Sequence, residues 1–197
     1  MMSDIIIFGG TFDPPHLGHS AMAGAALSLL PGARLIVIPT ALPPHKQSGT
    51  ADGTARLEMC RLAFNHLPAE VSDIELHRDG PSYTSDTMSE LGRLYPEVRL
   101  YFLCGMDMFV TLDRWHESEK LKQGLTFLVA GRPGNPDRDA AIAAFVSAGG
   151  RALAVDMPPC EISSTVVREL LRGGYSAAHM LSSGVDKYIL SNKLYKN

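Results

Sequence analysis

Apolar residues fall along this chain in short runs separated by longer segments of helical period. Ile5-Ile6-Ile7-Phe8 is a β-branched run without polar alternation, as a strand buried on both faces requires. An Ala- and Leu-rich segment predicts a helix over 20–30, with Leu17, Ala21, Ala25 and Leu29 at steps of four as its stripe toward a sheet. Pro31-Gly32 stops that helix, and Arg34-Leu35-Ile36-Val37-Ile38-Pro39 reads as a second strand. Strand, helix and strand form a βαβ unit, which implies a parallel pair with a right-handed crossover. Further along, the pattern predicts a helix over 50–66 and an alternating strand over 71–76. A helix follows from the stretch 80–87 to about Leu94, then a fourth strand over 98–104. Strands over 125–130 and 151–155 flank an Ala-rich helix over 137–148, which Gly149-Gly150 ends. A helix from about 161 to Gly173 and a packing helix over 185–195 complete the chain. Strands alternating with helices predict an α/β fold, a Rossmann-like doubly wound parallel sheet with helices on both faces. At 197 residues there is room for one such domain, 1–197, with a small C-terminal helical part from about 163.

Composition narrows the picture only a little. The 45% apolar and 20% charged content is that of a globular soluble protein. A net charge of −3 gives no bulk electrostatic reason to expect nucleic acid or an anionic membrane as partner. A polyanionic ligand must therefore meet a local cluster of positive charge. No apolar run approaches the length of a membrane span, and no basic leader or cleavage site precedes the first strand. Cys60, Cys104 and Cys160 are odd in number, widely spaced and without a C-x-x-C pair, which fits free thiols in a reducing compartment and so a cytoplasmic protein. Oligomeric state is not legible.

The densest chemistry lies in Gly9-Gly10-Thr11-Phe12-Asp13-Pro14-Pro15-His16-Leu17-Gly18-His19. Two glycines stand at the exit of a strand, and two prolines steer the chain into a helix. His16 and His19, three apart, project from the same side of its first turn. A helix N-terminus already offers unpaired N–H groups and partial positive charge, so two imidazoles there make a site for phosphate oxygens. The competing reading is a tight turn with structural histidines. Neither G-x-G-x-x-G nor the P-loop pattern is present, and a zinc site lacks a third ligand nearby.

Other candidates sit where strands end, the edge at which open α/β sheets bind ligands. Lys46, in Pro43-Pro44-His45-Lys46, is either solubilising or placed to meet a phosphate. Arg56, in the first turn of its helix, opposes the helix dipole and is either a surface charge or an anion contact. Tyr83 and Thr84 lie in a hydroxyl-rich stretch that either caps its helix or lines a pocket. Gly105 and Asp107 suit close approach of a nucleoside, and Trp115 is either core or a stacking surface. Ser163 or Ser164 can be simple caps; with Arg168 they make a second anion site of the same design as the first. Two such sites match a triphosphate. Arg132 has no assigned role.

Gly-x-Phe-Asp-Pro followed by His-x-Gly-His resembles the signature of the nucleotidyltransferase superfamily. Together with Pro43-Pro44-His45-Lys46, Ser82-Tyr83-Thr84 with Thr87, Gly105-x-Asp107 followed by Trp115, and Ile162-Ser163-Ser164-Thr165-x-x-Arg168, the chain resembles the nicotinate-nucleotide adenylyltransferase family nearly end to end. The first and last pieces belong to the whole superfamily. The middle ones separate this family from the pantetheine-phosphate adenylyltransferases. Pro15 stands where the family often has Ile. The resemblance implies adenylyl transfer from ATP to nicotinate mononucleotide, giving deamido-NAD and pyrophosphate, with Mg²⁺ bridging phosphate oxygens. It makes His16, His19 and Arg168 the catalytic residues. Gly9, Gly10, Thr11, Phe12, Gly105, Asp107, Ser164 and Thr165 would bind ATP. Lys46, Tyr83, Thr84 and Trp115 would bind the mononucleotide. Two rivals stand beside it: the same chemistry on pantetheine phosphate or nicotinamide mononucleotide, and a silent nucleotide-binding protein on this scaffold.

Overall fold

A computed structural model of the chain describes residues 4–41, 51–78 and 80–196. Its strands are β1 (Ile5–Gly10), β2 (Arg34–Pro39), β3 (Ala69–Val71), β4 (Leu100–Gly105), β5 (Thr126–Gly131) and β6 (Ala152–Asp156). They form one sheet in the order β3-β2-β1-β4-β5-β6, and every pair is parallel. Its helices are α1 (Leu17–Leu29), α2 (Gly53–Phe64), α3 (Thr84–Leu94), α4 (Met106–Phe109), α5 (Ser118–Gly124), α6 (Pro136–Ser147), α7 (Ser164–Arg172) and α8 (Ser183–Ser191). This is the doubly wound architecture, and its strand order reverses direction between β1 and β4.

The unbroken apolar runs of β1, β4 and β5 are explained by burial on both faces. Ile6 and Phe8 point into a core shared with α1, α2, α7 and α8 through Ala23, Met59, Phe64, Val167 and Ile189. Ile5 and Ile7 point into the opposite core, against Met88, Phe109, Leu121 and Phe127, on the side of α3 to α6. None of the helices among the described residues is long and apolar enough to cross a membrane.

Two expectations need correction. The buried face of α1 is Ser20, Ala23 and Ala26 with Gly18, while Leu17 and Leu29 lie outside at 41% and 42% exposure. Small side chains let the helix axis come close to the sheet, and that closeness decides which stripe is buried. The strand expected over 71–76 is only Ala69–Val71; residues 74–77 are a turn, closed by Leu76 N–H on Asp73 O at 2.8 Å. The apolar alternation there serves a buried carboxylate instead. Glu75 accepts from Thr87 Oγ1 at 2.7 Å, and burial raises its pKa.

Candidate active site

A cleft of about 690 Å³ opens at the carboxyl ends of the strands, lined from both sides of the reversal between β1 and β4. Gly9, Gly10, Thr11, Phe12, His16, His19, Gly105, Asp107 and Ser164 all line it, and so does Arg132.

The β1 exit is shaped by two linked residues. Phe12 has φ of +48°, in the left-handed region. Its ring turns back into the core, edge-on to Phe8 at 5.1 Å, Phe64 at 5.8 Å and His19 at 5.0 Å. A Cβ on Gly10 would stand 3.0 Å from the tip of that ring, so glycine is what allows the fold-back. The Phe12 side chain therefore belongs to the core and only its backbone is left for a ligand. Asp13 follows, with a fully buried carboxylate that accepts from Tyr195 Oη at 2.6 Å and Ala51 N at 3.0 Å.

Arg56 is buried, and its guanidinium donates to three carbonyl oxygens: Ala51 at 3.1 Å, Thr11 at 2.9 Å and Ala41 at 3.1 Å. It is neither a surface charge nor an anion contact. It clamps three stretches of backbone beneath the cleft.

His16 caps the N-terminus of α1 in an extended conformation, and its backbone N–H donates to His19 Nδ1 at 3.1 Å. In the neutral ring that bond places the His19 proton on Nε2. The two imidazoles stack with centroids 3.7 Å apart and planes at 27°. Burial lowers the His16 pKa to about 4, so this ring is neutral at pH 7.

The start of α7 is built differently. Ser163 is the cap, accepting from Val166 N at 3.2 Å. Ser164 Oγ donates to Pro14 O at 2.9 Å, and Arg168 donates from Nη1 to Asp13 O at 2.6 Å and from Nη2 to Thr165 Oγ1 at 3.2 Å. Arg168 also lies 3.7 Å from the Asp13 carboxylate, with its side chain 11% exposed. Thr165 and Arg168 thus brace the bend at Asp13 and Pro14, behind the residues that line the cleft. At the β4 exit, a Cβ on Gly105 would fall 2.6 Å from Asp107 Oδ1, so glycine lets that carboxylate turn back over the strand end.

Comparison with known proteins places this arrangement. The family described as Cytidylyltransferase-like matches residues 7–170. The chain is 40% identical over 190 residues to a probable nicotinate-nucleotide adenylyltransferase of Exiguobacterium sibiricum, covering 96% of this chain and 97% of that one. It is 36% identical to the nicotinate-nucleotide adenylyltransferase of Bacillus subtilis, with full coverage of both. The chain belongs to the nicotinate-nucleotide adenylyltransferase family. The fold agrees: a Plasmodium falciparum nicotinic acid mononucleotide adenylyltransferase complexed with NaAD superposes with a TM-score of 0.83 over 98% of each chain, at 22% identity.

The residues expected to hold the mononucleotide lie apart from the cleft lining. Tyr83 is the N-cap of α3, and no side chain caps that helix among the described residues. Ser82 Oγ instead accepts from Ala41 N at 3.2 Å. The hydroxyl-rich stretch is therefore not a simple cap; Asp86 N and Thr87 N donate to Tyr83 O at 3.1 and 3.3 Å, which leaves the N–H groups of Thr84 and Ser85 for another acceptor. Tyr83 stacks on His116 at 4.4 Å, and Ser85 Oγ and His116 Nδ1 are 3.1 Å apart. Trp115 is edge-on to Phe102 at 5.7 Å, and its indole N–H donates to Thr111 Oγ1 at 3.4 Å. Lys46 lies outside the described residues. Sequence reasoning missed His116 and left Arg132 without a place; the one available signal for Arg132 was its position directly after a strand.

Among the described residues, Asp86, His116 and Glu117 are the group of His and acidic ligand atoms close enough together to hold an ion. They lie outside the cleft lining, and Glu117 already pairs with Lys120 Nζ at 2.5 Å. The cleft itself offers two separate carboxylates, Asp107 after β4 and Glu161 after β6. That donor set fits a hard divalent cation which takes most of its ligands from phosphate oxygens and water.

Proposed function

We propose that the chain transfers the adenylyl group of ATP to nicotinate mononucleotide, giving deamido-NAD and pyrophosphate, with the cleft at the β1 exit as the ATP site. The phosphate of the mononucleotide attacks the α-phosphorus in line and pyrophosphate departs, with no covalent intermediate on the protein. Such chemistry asks for positioning and charge stabilisation. The observation that carries the reading is the stacked pair His16 and His19 at the N-terminus of α1, lining the same cleft as Gly9, Gly10 and Asp107.

In this reading the backbone of Gly9, Gly10, Thr11 and Phe12 runs along the nucleotide. His19 and the neutral His16 ring meet the phosphates. Gly105 and Asp107 take the nucleoside, the carboxylate accepting from its hydroxyls. Ser164, Thr165 and Arg168 hold the bend at Asp13 and Pro14, and the N–H groups that Arg168 has left over act on the triphosphate. Tyr83, Thr84 and Trp115 receive the pyridine ring, whose carboxylate lies at the N-terminus of α3. Phosphate oxygens together with Asp107 or Glu161 would hold Mg²⁺, which would supply neutralisation of the phosphate charge. The free thiols Cys60, Cys104 and Cys160 fit a cytoplasmic reaction.

Product identification tests this. With ATP and Mg²⁺, nicotinate mononucleotide should yield deamido-NAD and pyrophosphate in equal amounts, while pantetheine phosphate yields no pyrophosphate. Release of pyrophosphate only with pantetheine phosphate would overturn the assignment.

A further inference from the structure

The three thiols differ sharply in setting. Cys60 and Cys104 are buried, and burial raises the pKa of both, holding them protonated. Cys160 is exposed and lines the nucleotide cleft, on the segment 157–163 that joins β6 to α7. Pro158 and Pro159 directly precede it, so a stretch with fixed φ carries the thiol. Its Sγ stands 2.6 Å from the place a Cβ on Gly18 would occupy, and His16 Nδ1 stands 3.1 Å from that same place. The bare glycine is what admits both groups. That Nδ1 is buried, at 8% exposure for the residue, and has no hydrogen-bond partner among the described residues. Buried polar atoms are rarely left so, and this one is available to whatever group the thiol carries.

We propose that Cys160 is a thiol-modification site at which low-molecular-weight disulfides close the nucleotide cleft. The proposal rests on the reading of that cleft as the ATP site. The Cys160 thiolate attacks one sulfur of a disulfide R–S–S–R; the old S–S bond breaks, a Cys160–S–S–R bond forms, and R–S⁻ leaves and takes up the proton lost by the thiol. The disulfide is the oxidant, and a thiol reductant reverses the step. With glutathione as R, an anionic tripeptide sits beside His16, on ground the phosphates of ATP need.

The test treats the full chain with oxidised glutathione and follows turnover, intact mass and the modified peptide together. One adduct should form, on Cys160, with loss of nearly all turnover and recovery in dithiothreitol. ATP at about ten times its Kd should slow adduct formation roughly tenfold by mass action. Cys160→Ser and Cys160→Ala, each measured against its own starting rate, should keep their turnover under the same exposure. Methyl methanethiosulfonate, which leaves only an S-methyl group, should inhibit far less than glutathione. An adduct on Cys160 with turnover unchanged would overturn this proposal and leave the ATP reading intact, as would equal inactivation of both cysteine variants. Adduct formation unaffected by saturating ATP would instead overturn the ATP reading of the cleft, and the proposal with it.

Discussion

At the start of α1, His16 and His19 line the cleft and stack on each other; at the start of α7, Ser164, Thr165 and Arg168 are bonded to the bend at Asp13 and Pro14 or to one another. In sequence the two helix starts have the same design, polar donors on a first turn. In the fold both reach the cleft, through His16 and His19 at one and Ser163 and Ser164 at the other, and α7 is also tied to the bend at Asp13 and Pro14. A helix N-terminus binds anions with the donors it has left over, and at α7 Ser164 Oγ and one Arg168 N–H are committed to the loop that carries the histidines. In the proposed function the first end meets the ligand and the second holds the first in register.

Breaking the first end should cost most. His19→Ala removes a donor placed where charge develops, and kcat/KM should fall by about 10²–10³. The melting temperature should fall by only a few degrees, since His19 also accepts the His16 N–H and packs on Phe12. Near-normal turnover, or a variant that simply unfolds, would assign the pair to packing.

Acid should reveal the same end through stability. The His16 pKa is about 4 in the folded protein against 6.5 for the free side chain, so on acidification the unfolded chain binds its proton first. The contribution is fully present above about pH 6.5 and is lost as pH falls toward 4, up to about 3 kcal/mol. Thermal melts of His16→Asn between pH 7 and pH 4 should show a shallower decline than the parent. Parallel declines would mean that His16 is already protonated or solvated in the fold.

At the bracing end the effect should be smaller and confined to one substrate. Arg168→Lys loses the guanidinium fork that reaches both Asp13 O and Thr165 Oγ1. The cost should be about 1–2 kcal/mol, read as a rise of roughly tenfold in KM for ATP. KM for the mononucleotide should stay nearly constant in the same titrations. Equal weakening toward both substrates would reduce Arg168 to general support of the fold.

The parts that were legible in sequence share a physical reason. β1 and β2 were readable because burial on both faces leaves no polar residue over 5–8 or 35–38, and the near wall of the cleft was readable because Gly9 to His19 are consecutive. What was not legible depends on partners far along the chain. Arg56 looks like an anion contact until Thr11, Ala41 and Ala51 are seen to supply its three carbonyls. Nothing near Arg168 in sequence reveals that one of its N–H groups is held by Asp13 O, 155 residues earlier. His116 carries no pattern of its own; Tyr83 and Ser85 give it a place. The alternation at Ile74 and Leu76 imitated a strand because no local rule reveals that Glu75 is buried against Thr87.

A carboxylate on the acceptor ring is what would distinguish this chain from an enzyme acting on the amide. At the N-terminus of α3, the N–H groups of Thr84 and Ser85, without a side-chain cap among the described residues, can donate to both oxygens of a carboxylate. A carboxamide offers one acceptor and turns an NH₂ toward donors, a mismatch of about 1–3 kcal/mol. The helix end adds up to roughly 2 kcal/mol for the charge. Steady-state kcat/KM for nicotinate and nicotinamide mononucleotide, at saturating ATP and Mg²⁺, measures this directly. The expected ratio favours the acid at least about tenfold and, with both terms acting, about a hundredfold. A ratio within about threefold of unity, well under 1 kcal/mol, would contradict both the pocket and the choice of acceptor.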